Sequence, residues 1–467
     1  MIKKNTILNL SINLYLILLS LFIIFGRSFS GVTIFGIRVG EAMVGLSLII
    51  SFAIFLLKIL KINLVDIELR LISSILSLII VSFLCSIFYS KGSFLLSYTY
   101  RASSIIWTIS FIFLSYEIFK KIETEHIFFK IVPYFPVILY FLSTIHFPEI
   151  LINFFTTYSD KFDFVKGSDL LLTFVVCQIF VRNKYENTIK GFAYYILLSA
   201  IYVPLFIYKS KGAFIPGVIF IVMNFTYYIN TLKTDKLKSA VILVFCVPLF
   251  FLSTFNSYGN LSFKKMGMDQ YSQEESLISA GSNALKLVLD EKNTPDIFAS
   301  FFILDGRIYS QEQMANWRLQ IWQDIIRDLF WNSNYFQSEE NYSLVREQGS
   351  LRNDLTFIFG FGYNEILPAM NHWERTGTDG TNENPHNFFI YSLGRGGLIL
   401  GSLMLALHFS LGLIWKNKHK SLNILLYMIP VLFTASFDAS MESVRFPLIY
   451  YSFYSLFLLN NINKSKN

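Results

Sequence analysis

Asn384-Pro385-His386-Asn387-Phe388-Phe389-Ile390-Tyr391 is a seam in the chain: a polar segment ends there and an apolar one begins without a spacer. Upstream, from about Asn256 to His386, the composition is that of a water-exposed loop. Elsewhere the sequence is arranged in apolar blocks. A helix needs about 20 mostly apolar residues to cross the hydrocarbon layer. Blocks near that length fall at approximately 7–25, 41–57, 72–89, 94–115, 131–147, 168–181, 191–208, 212–231, 239–254, 388–415, 421–437 and 446–461. The expected fold is an all-α integral membrane protein with about twelve transmembrane helices and one large, mainly helical outer loop. Three regions follow: nine helices over 1–255, the loop over 256–386, and three helices over 387–467.

The composition agrees. Of 467 residues, 54% are hydrophobic and 15% charged, where a soluble domain carries roughly a quarter charged residues. Cys85, Cys177 and Cys246 all sit inside apolar runs, so they cannot staple the polar loop. Their spacing fits no metal site, and they read as small apolar fillers. Lys3-Lys4 followed by the apolar run from Ile7 to Phe25 imitates a secretion signal. No small-residue cleavage site follows in Gly26-Arg27-Ser28-Phe29, and the run is long enough to span, so it reads as a retained first helix.

Charge sets the expected orientation. Alternate connections carry Lys3 and Lys4; Lys58, Lys61 and Arg70; Lys120, Lys121 and Lys130; Arg182, Lys184 and Lys190; Lys233, Lys236 and Lys238; Lys416, Lys418 and Lys420; and Lys464 and Lys466. The positive-inside rule places these, with both termini, in the cytoplasm. The polar segment then lies outside. It has 10 Lys and Arg against 18 Asp and Glu, a net of −8, while the whole chain is +7; the remainder therefore carries +15. The basic balance is a topology signal and gives no argument for nucleic acid. A few cations break the pattern by falling on the outer side: Arg101, Lys209, Lys211 and Arg445. Charge at the edge of the hydrocarbon layer is costly, and is paired or functional when it persists. Several such cations on one side can bind an anion.

Two segments of the outer loop invite chemistry. Asn384-Pro385-His386 reads as a helix start, with Asn384 at the N-cap, Pro385 at the first helical position and His386 in the first turn. The helix dipole there disfavours imidazolium, and a neutral imidazole can act as a general base with a pKa below about 6.5. The plainer reading is a capping histidine at the interface. Asn316-Trp317-Arg318-Leu319-Gln320-Ile321-Trp322 begins an amphipathic helix running to about Phe330. Ile321, Trp322, Ile325 and Leu329 follow Arg318 along one face. An arginine on a packed face takes a carboxylate or a phosphate, or snorkels from the edge of the stripe. Arg327 is expected on the opposite face. Other features have plain explanations. Tyr208-Lys209-Ser210-Lys211-Gly212 can be a short loop, Glu442 and Arg445 can pair with each other, and Gly397 and Gly401 read as a GxxxG packing face. His372 sits in a Gly/Asn/Thr-rich stretch and reads as solvated.

Taken together, these residues resemble the superfamily of O-antigen polymerases and O-antigen ligases. The matching elements, in chain order, are Ser210-Lys211-Gly212-Ala213, where that family usually has Ser-Arg-Gly; Arg318 with Trp322, spaced as R-x-x-x-W; Phe359-Gly360-Phe361-Gly362, as its G-x-G segment; and His386-Asn387 through Tyr391 to Gly394 and Gly397, as its H-N motif followed by glycine. The resemblance covers roughly the second half of the chain. Lysine at 211 departs from the pattern and leaves open which outer cation takes the anion-binding role.

The resemblance implies a GT-C-like glycosyltransferase of the bacterial inner membrane, without a cofactor or a metal, acting on the periplasmic face by inverting transfer. The donor it implies is a glycan on undecaprenyl pyrophosphate. For a polymerase the acceptor is a second lipid-linked repeat unit; for a ligase it is the lipid A core. Membrane lipid and a chain-length regulator protein are the implied partners. His386 and Arg318 become the catalytic candidates, with Lys211, Lys209, Arg101, Asn387 and Arg445 as substrate-binding candidates. The long polar loop and the richness in Ile, Phe, Lys and Asn favour polymerase over ligase. A lipid-glycan transporter is the alternative from another class, but no internal repeat of the transporter kind is visible. A scaffold protein of the envelope leaves the outer cations and the histidine without a task.

Overall fold

The computed structural model describes residues 2–59, 67–123, 125–144, 147–163, 165–265, 301–304, 306–311, 313–330, 355–370 and 383–459. All twelve apolar blocks are helical, and seven helices among the described residues are long and apolar enough to cross a membrane. Several of the other blocks are short or broken. The block expected at 94–115 is a succession of Ser97–Ala102, Ser104–Trp107, a 3-10 turn at Thr108–Ser110, and Phe111–Phe119. The block expected at 131–147 starts earlier, as Ile127–Ile131. It passes through a 3-10 turn at Val132–Tyr134 and continues as Phe135–Thr144. Pro133 removes a backbone donor there and explains the change of pitch.

Gly167–Lys184 is the axis of the bundle. Every residue from Gly167 to Arg182 is buried, including Asp169, Gln178 and Arg182. A helix enclosed by protein on all faces has no apolar stripe, and its polar residues face partners rather than lipid. Arg445–Leu459 packs against it and is buried from Arg445 to Leu458. Lys236–Lys265 is the opposite case. It leaves Leu237, Val244, Phe245, Val247 and Leu252 exposed on the periphery, an apolar face that in water would be an aggregation surface. The molecule is thus a membrane-embedded helical bundle whose interior holds polar groups among apolar ones and whose periphery is apolar.

The connections group by parity. At one end of the bundle Val32 bridges Ser159, and Ser28 Oγ donates to Asp163 O at 2.7 Å. At that end also Thr99 Oγ1 donates to Asn364 Oδ1 at 2.6 Å, and a Cβ on Gly167 would collide with Ser210. At the other end the 226–228 and 420–424 connections meet, with Tyr227 OH donating to Asn423 Oδ1 at 2.5 Å. The connections expected outside therefore meet one another.

That end carries structure absent from the expectation. A two-residue hairpin pairs Thr33–Ile34 with Ile37–Arg38, and the helix Glu149–Tyr158 lies beside it. The polar segment holds an antiparallel hairpin, Phe301–Leu304 with Arg307–Ser310, before the helix Gln313–Phe330. Asp305-Gly306 between two apolar runs is a hairpin signal, and Gly306 takes a positive φ of 76°. The described loop is therefore helix plus hairpin.

The helix Phe388–His419 is broken at Gly397, where φ is 65°. This corrects the GxxxG reading: Gly397 packs against backbone at a break, and Gly401 contacts Leu393 of its own helix. The 360–362 segment enters the gap. Phe361 N–H donates to Gly394 O at 2.9 Å, Gly362 N–H to Arg395 O at 3.0 Å, and Ser86 Oγ to Arg395 O at 3.1 Å. Carbonyls freed by the break are thereby satisfied. Arg395, only 1% exposed, donates Nη1 to Gly362 O at 3.2 Å and Nη2 to Tyr98 OH at 2.9 Å. The break ties the polar segment to the bundle core.

Candidate functional site

The seam at 384–388 folds one turn later than its sequence indicates. Asn387 is the N-cap, with φ −152° and ψ 111°, and its Oδ1 accepts from Phe389 N–H and Ile390 N–H, both at 3.0 Å. Asn384 and Pro385 lie outside the helix, and His386 immediately precedes the cap. The premise that the first-turn dipole acts on His386 is therefore corrected. Asn387 was expected to contact substrate, but its carboxamide oxygen is committed to capping. His386 has a φ of +54°, a conformation that L residues adopt at a cost of about 1–2 kcal/mol.

The Gln313–Phe330 helix braces this strained residue. Ile321, Ile325 and Leu329 are buried, as their spacing predicted. Trp322 Nε1 donates to Pro385 O at 2.6 Å, and the Trp322 ring meets Phe437 edge-on at 5.7 Å. Trp317 meets the His386 ring at 5.6 Å and 70°. Arg318, next to Trp317, is half-buried on the same helix. Arg327 is not the solvated counterpart that a helical wheel suggests. The hairpin covers that face, and Asp324 is held between Arg307 at 2.9 Å and Arg327 at 3.1 Å.

Opposite the histidine is the 436–444 connection. His386 Nδ1 lies 3.8 Å from Asp438 Oδ1. Burial alone would raise the Asp438 carboxyl; His386, Ser168 and Lys166 beside it outweigh that and hold it well below the usual carboxylate range. Four residues on, Glu442 is the reverse case. Neither of its carboxyl oxygens has a hydrogen-bond partner among the described residues, and burial, reinforced by the charge of Asp438, pushes its pKa up to about 8. Two neighbouring carboxyl groups are thus held in different charge states by their surroundings.

The cations expected outside are spread around this centre with different commitments. Arg445 does not pair with Glu442. Its Nε donates to both oxygens of Asp169, at 3.0 and 2.9 Å, and the two residues are each 3% exposed. Arg445 Nη2 is buried without a hydrogen-bond partner among the described residues. Arg101 donates Nη2 to both carboxylate oxygens of Glu383 at 2.6 Å, anchoring the approach to the seam. Lys209 ends one helix, Ser210 caps the next, and Lys211 opens it. That turn abuts the 436–444 connection: a Cβ on Gly212 would stand 3.6 Å from Phe437 Cβ. His372 lies outside the described residues.

The expected residues His386, Asn387, Arg318, Lys209, Lys211 and Arg445 are on elements that converge at one end of the bundle. Arg101 joins them through its pair with Glu383. Sequence reasoning passed over Asp438, Asp169 and Lys166, read Glu442 only as a partner for Arg445, and gave Trp317 no role of its own. Asp169 carried a usable signal, since an acidic residue opening an apolar span calls for a partner. Asp438 and Glu442 carried less, being two acids in a short connection. A histidine beside an ionised carboxylate is suited to taking a proton, because the carboxylate offsets the charge the ring gains. No family model, curated protein or solved structure matches this chain.

Proposed function

We propose that this protein is a polysaccharide polymerase of the bacterial inner membrane, joining oligosaccharide repeat units carried on undecaprenyl pyrophosphate. The observation that carries the reading is the His386–Asp438 arrangement at the end of the bundle where the Arg318 helix and the Lys209–Lys211 turn converge. In this reading the chain crosses the membrane twelve times, both termini are cytoplasmic and the site faces the periplasm. His386 takes the proton from an acceptor hydroxyl as that oxygen attacks the anomeric carbon of the donor. The bond from that carbon to the pyrophosphate oxygen breaks with inversion. Arg318 and the lysines of the 209–211 turn meet the charge developing on the leaving pyrophosphate, and Asp438 offsets the imidazolium. The proton then leaves His386 to bulk water.

Deletion of the gene, followed by analysis of surface polysaccharide, tests the reading. Loss of long chains with one repeat still on the lipid A core supports polymerase. Loss of every repeat supports ligase, and unchanged polysaccharide removes both. Reporters at Thr378, outside the described residues, and at Asn417 are expected on the periplasmic and cytoplasmic sides respectively; the same side for both would overturn the orientation.

A further inference from the structure

At the end of the bundle away from His386 there is a cavity of about 260 Å³, built around Arg182. Arg182 and Asp169 stand thirteen residues apart on the Gly167–Lys184 helix, about 20 Å along its axis. The cavity is thus separate from the site described above. Arg182 is 5% exposed. Its Nη1 donates to Asn224 Oδ1 at 3.1 Å, and its guanidinium lies 4.3 Å from the centre of the Tyr227 ring. Among the described residues no carboxylate is within ion-pair distance of it; Glu186, one turn further on, is exposed at the rim. A buried guanidinium with only a neutral acceptor and a ring face has charge left over.

The surroundings offer donors as well. Two residues that line the cavity, Tyr228 and Trp415, each carry a polar group, OH and Nε1–H, that is buried without a hydrogen-bond partner among the described residues, and so is Nδ2 of Asn224, the residue that Arg182 contacts. Tyr228 is 1% and Trp415 7% exposed. Buried donors left without acceptors are rare in folded proteins and call for an explanation. An arginine fork, a phenol and an indole N–H around one cavity match the oxygens of a tetrahedral oxyanion. The helices that frame the cavity end in Lys184, Lys416 and Lys418, so the approach is cationic. In a membrane-embedded bundle these lysine-rich ends lie at the depth of lipid phosphates, and basic pockets between helices at that depth bind anionic headgroups. Ile179, Ile424 and Phe457 give the cavity an apolar side.

We propose that this cavity is a binding site for a phosphate-bearing anion, centred on Arg182 and completed by Tyr228 and Trp415. The same chemistry is presented by an anionic phospholipid headgroup and by free phosphate. Protein purified in a phosphate-free neutral detergent is titrated with short-chain phosphatidylglycerol and, separately, with inorganic phosphate, and binding is read as a saturable rise in melting temperature. Asn224→Asp is the decisive variant. It keeps the oxygen that Arg182 contacts but supplies a carboxylate, which neutralises the guanidinium without opening the fold. Trp415→Phe removes one donor and keeps most of the ring volume. Each is expected to weaken binding about tenfold or more, with the protein still monodisperse. Saturation by phosphatidylglycerol alone identifies a membrane lipid as the ligand; equal saturation by inorganic phosphate identifies a soluble one. Absence of saturable binding by either probe, or undiminished binding in both variants, overturns the proposal. The outcome is independent of the glycosyl-transfer reading.

Discussion

His386 Nδ1 stands 3.8 Å from Asp438 Oδ1, although 52 residues and two membrane-embedded helices separate them in the chain. The distance exceeds that of a hydrogen bond but is within ion-pair range. The carboxylate therefore acts on the imidazole through its charge. Strain at His386 and the brace from Trp317 and Trp322 keep the ring opposite it.

His386→Ala is expected to remain inserted and to lose transfer by about 10²–10⁴-fold, the usual contribution of a general base. Because φ is positive at this position, His386→Gly is expected to be equally inactive yet more stable than the alanine variant, by about 1–2 kcal/mol. Transfer assays with a defined lipid-linked substrate, together with melting curves, check both. Substantial transfer by the alanine variant would remove the catalytic role.

Asp438→Asn is expected to lower turnover by roughly 10²-fold with little change in expression. The sign of the pH effect follows from the depressed pKa. Stability contributed by the ionised group is present above its unfolded value of about 3.9 and is lost as pH falls through the lower folded value. As pH falls from 5 to 3, the stability of the wild type relative to Asp438→Asn should thus decrease. A difference that stays constant across that window would sink the assignment.

Glu442 has the opposite linkage. Its folded pKa, about 8, lies above the unfolded value, so the fold favours the neutral acid. Stability is full below the unfolded value of about 4.3 and falls as pH rises towards 8. Glu442→Gln, which copies the neutral acid, should melt like wild type at pH 4 and at a higher temperature at pH 8. Equal melting temperatures at pH 8 would show that the carboxyl is solvated.

The Asp169–Arg445 pair joins the first turns of two buried helices. Removing one partner strands the other, so Asp169→Asn should destabilise by about 3–5 kcal/mol. Asp169→Leu combined with Arg445→Met should recover most of that. A double variant that is stable but inactive would show that Arg445 also serves the site, through the donor it keeps free of Asp169. Additive losses in the cycle would show that the pair is not coupled.

Gly360 and Gly397 face each other with positive φ, and a Cβ on either would collide with the other's segment. Each alanine substitution is expected to cost on the order of 3 kcal/mol, from backbone strain plus overpacking. Detergent-resistant folding, measured by size-exclusion profile and melting, should fail for both, while Gly36→Ala, where φ is also positive but the added Cβ meets nothing, should cost only the strain of about 1–2 kcal/mol and keep the profile. Normal folding of Gly397→Ala would mean that the helix can close its break.

Much of the fold was legible from the chain alone. A run of apolar residues long enough to span has few alternatives to helix, because unpaired backbone groups are too costly in hydrocarbon; all twelve blocks are helical. The buried stripe of the 313–330 helix was legible for the same kind of reason, since periodicity is local. Three things escaped. The cap moved from Asn384 to Asn387, because two N-cap formers flank Pro385-His386 and the anchoring of Pro385 O by Trp322 selects the second. The 94–115 block broke into short helices, the 131–147 block changed pitch at Pro133, and Gly397 became a break rather than a packing face because the 360–362 backbone enters there.

The site divides along the same line. The sequence by itself determined which segments enter an apolar phase, that a histidine ends the polar loop, and that Arg318 shares a face with Ile321, Ile325 and Leu329. Those are properties of length and period, which act within a few turns of chain. Only the tertiary structure decided that Arg445 pairs with Asp169 rather than Glu442, that Arg101 is held by Glu383, and that Asp438 is the group beside His386. Which cation meets which carboxylate depends on distances between helices far apart in sequence. Buried charges must find partners at those distances, and no local pattern encodes them.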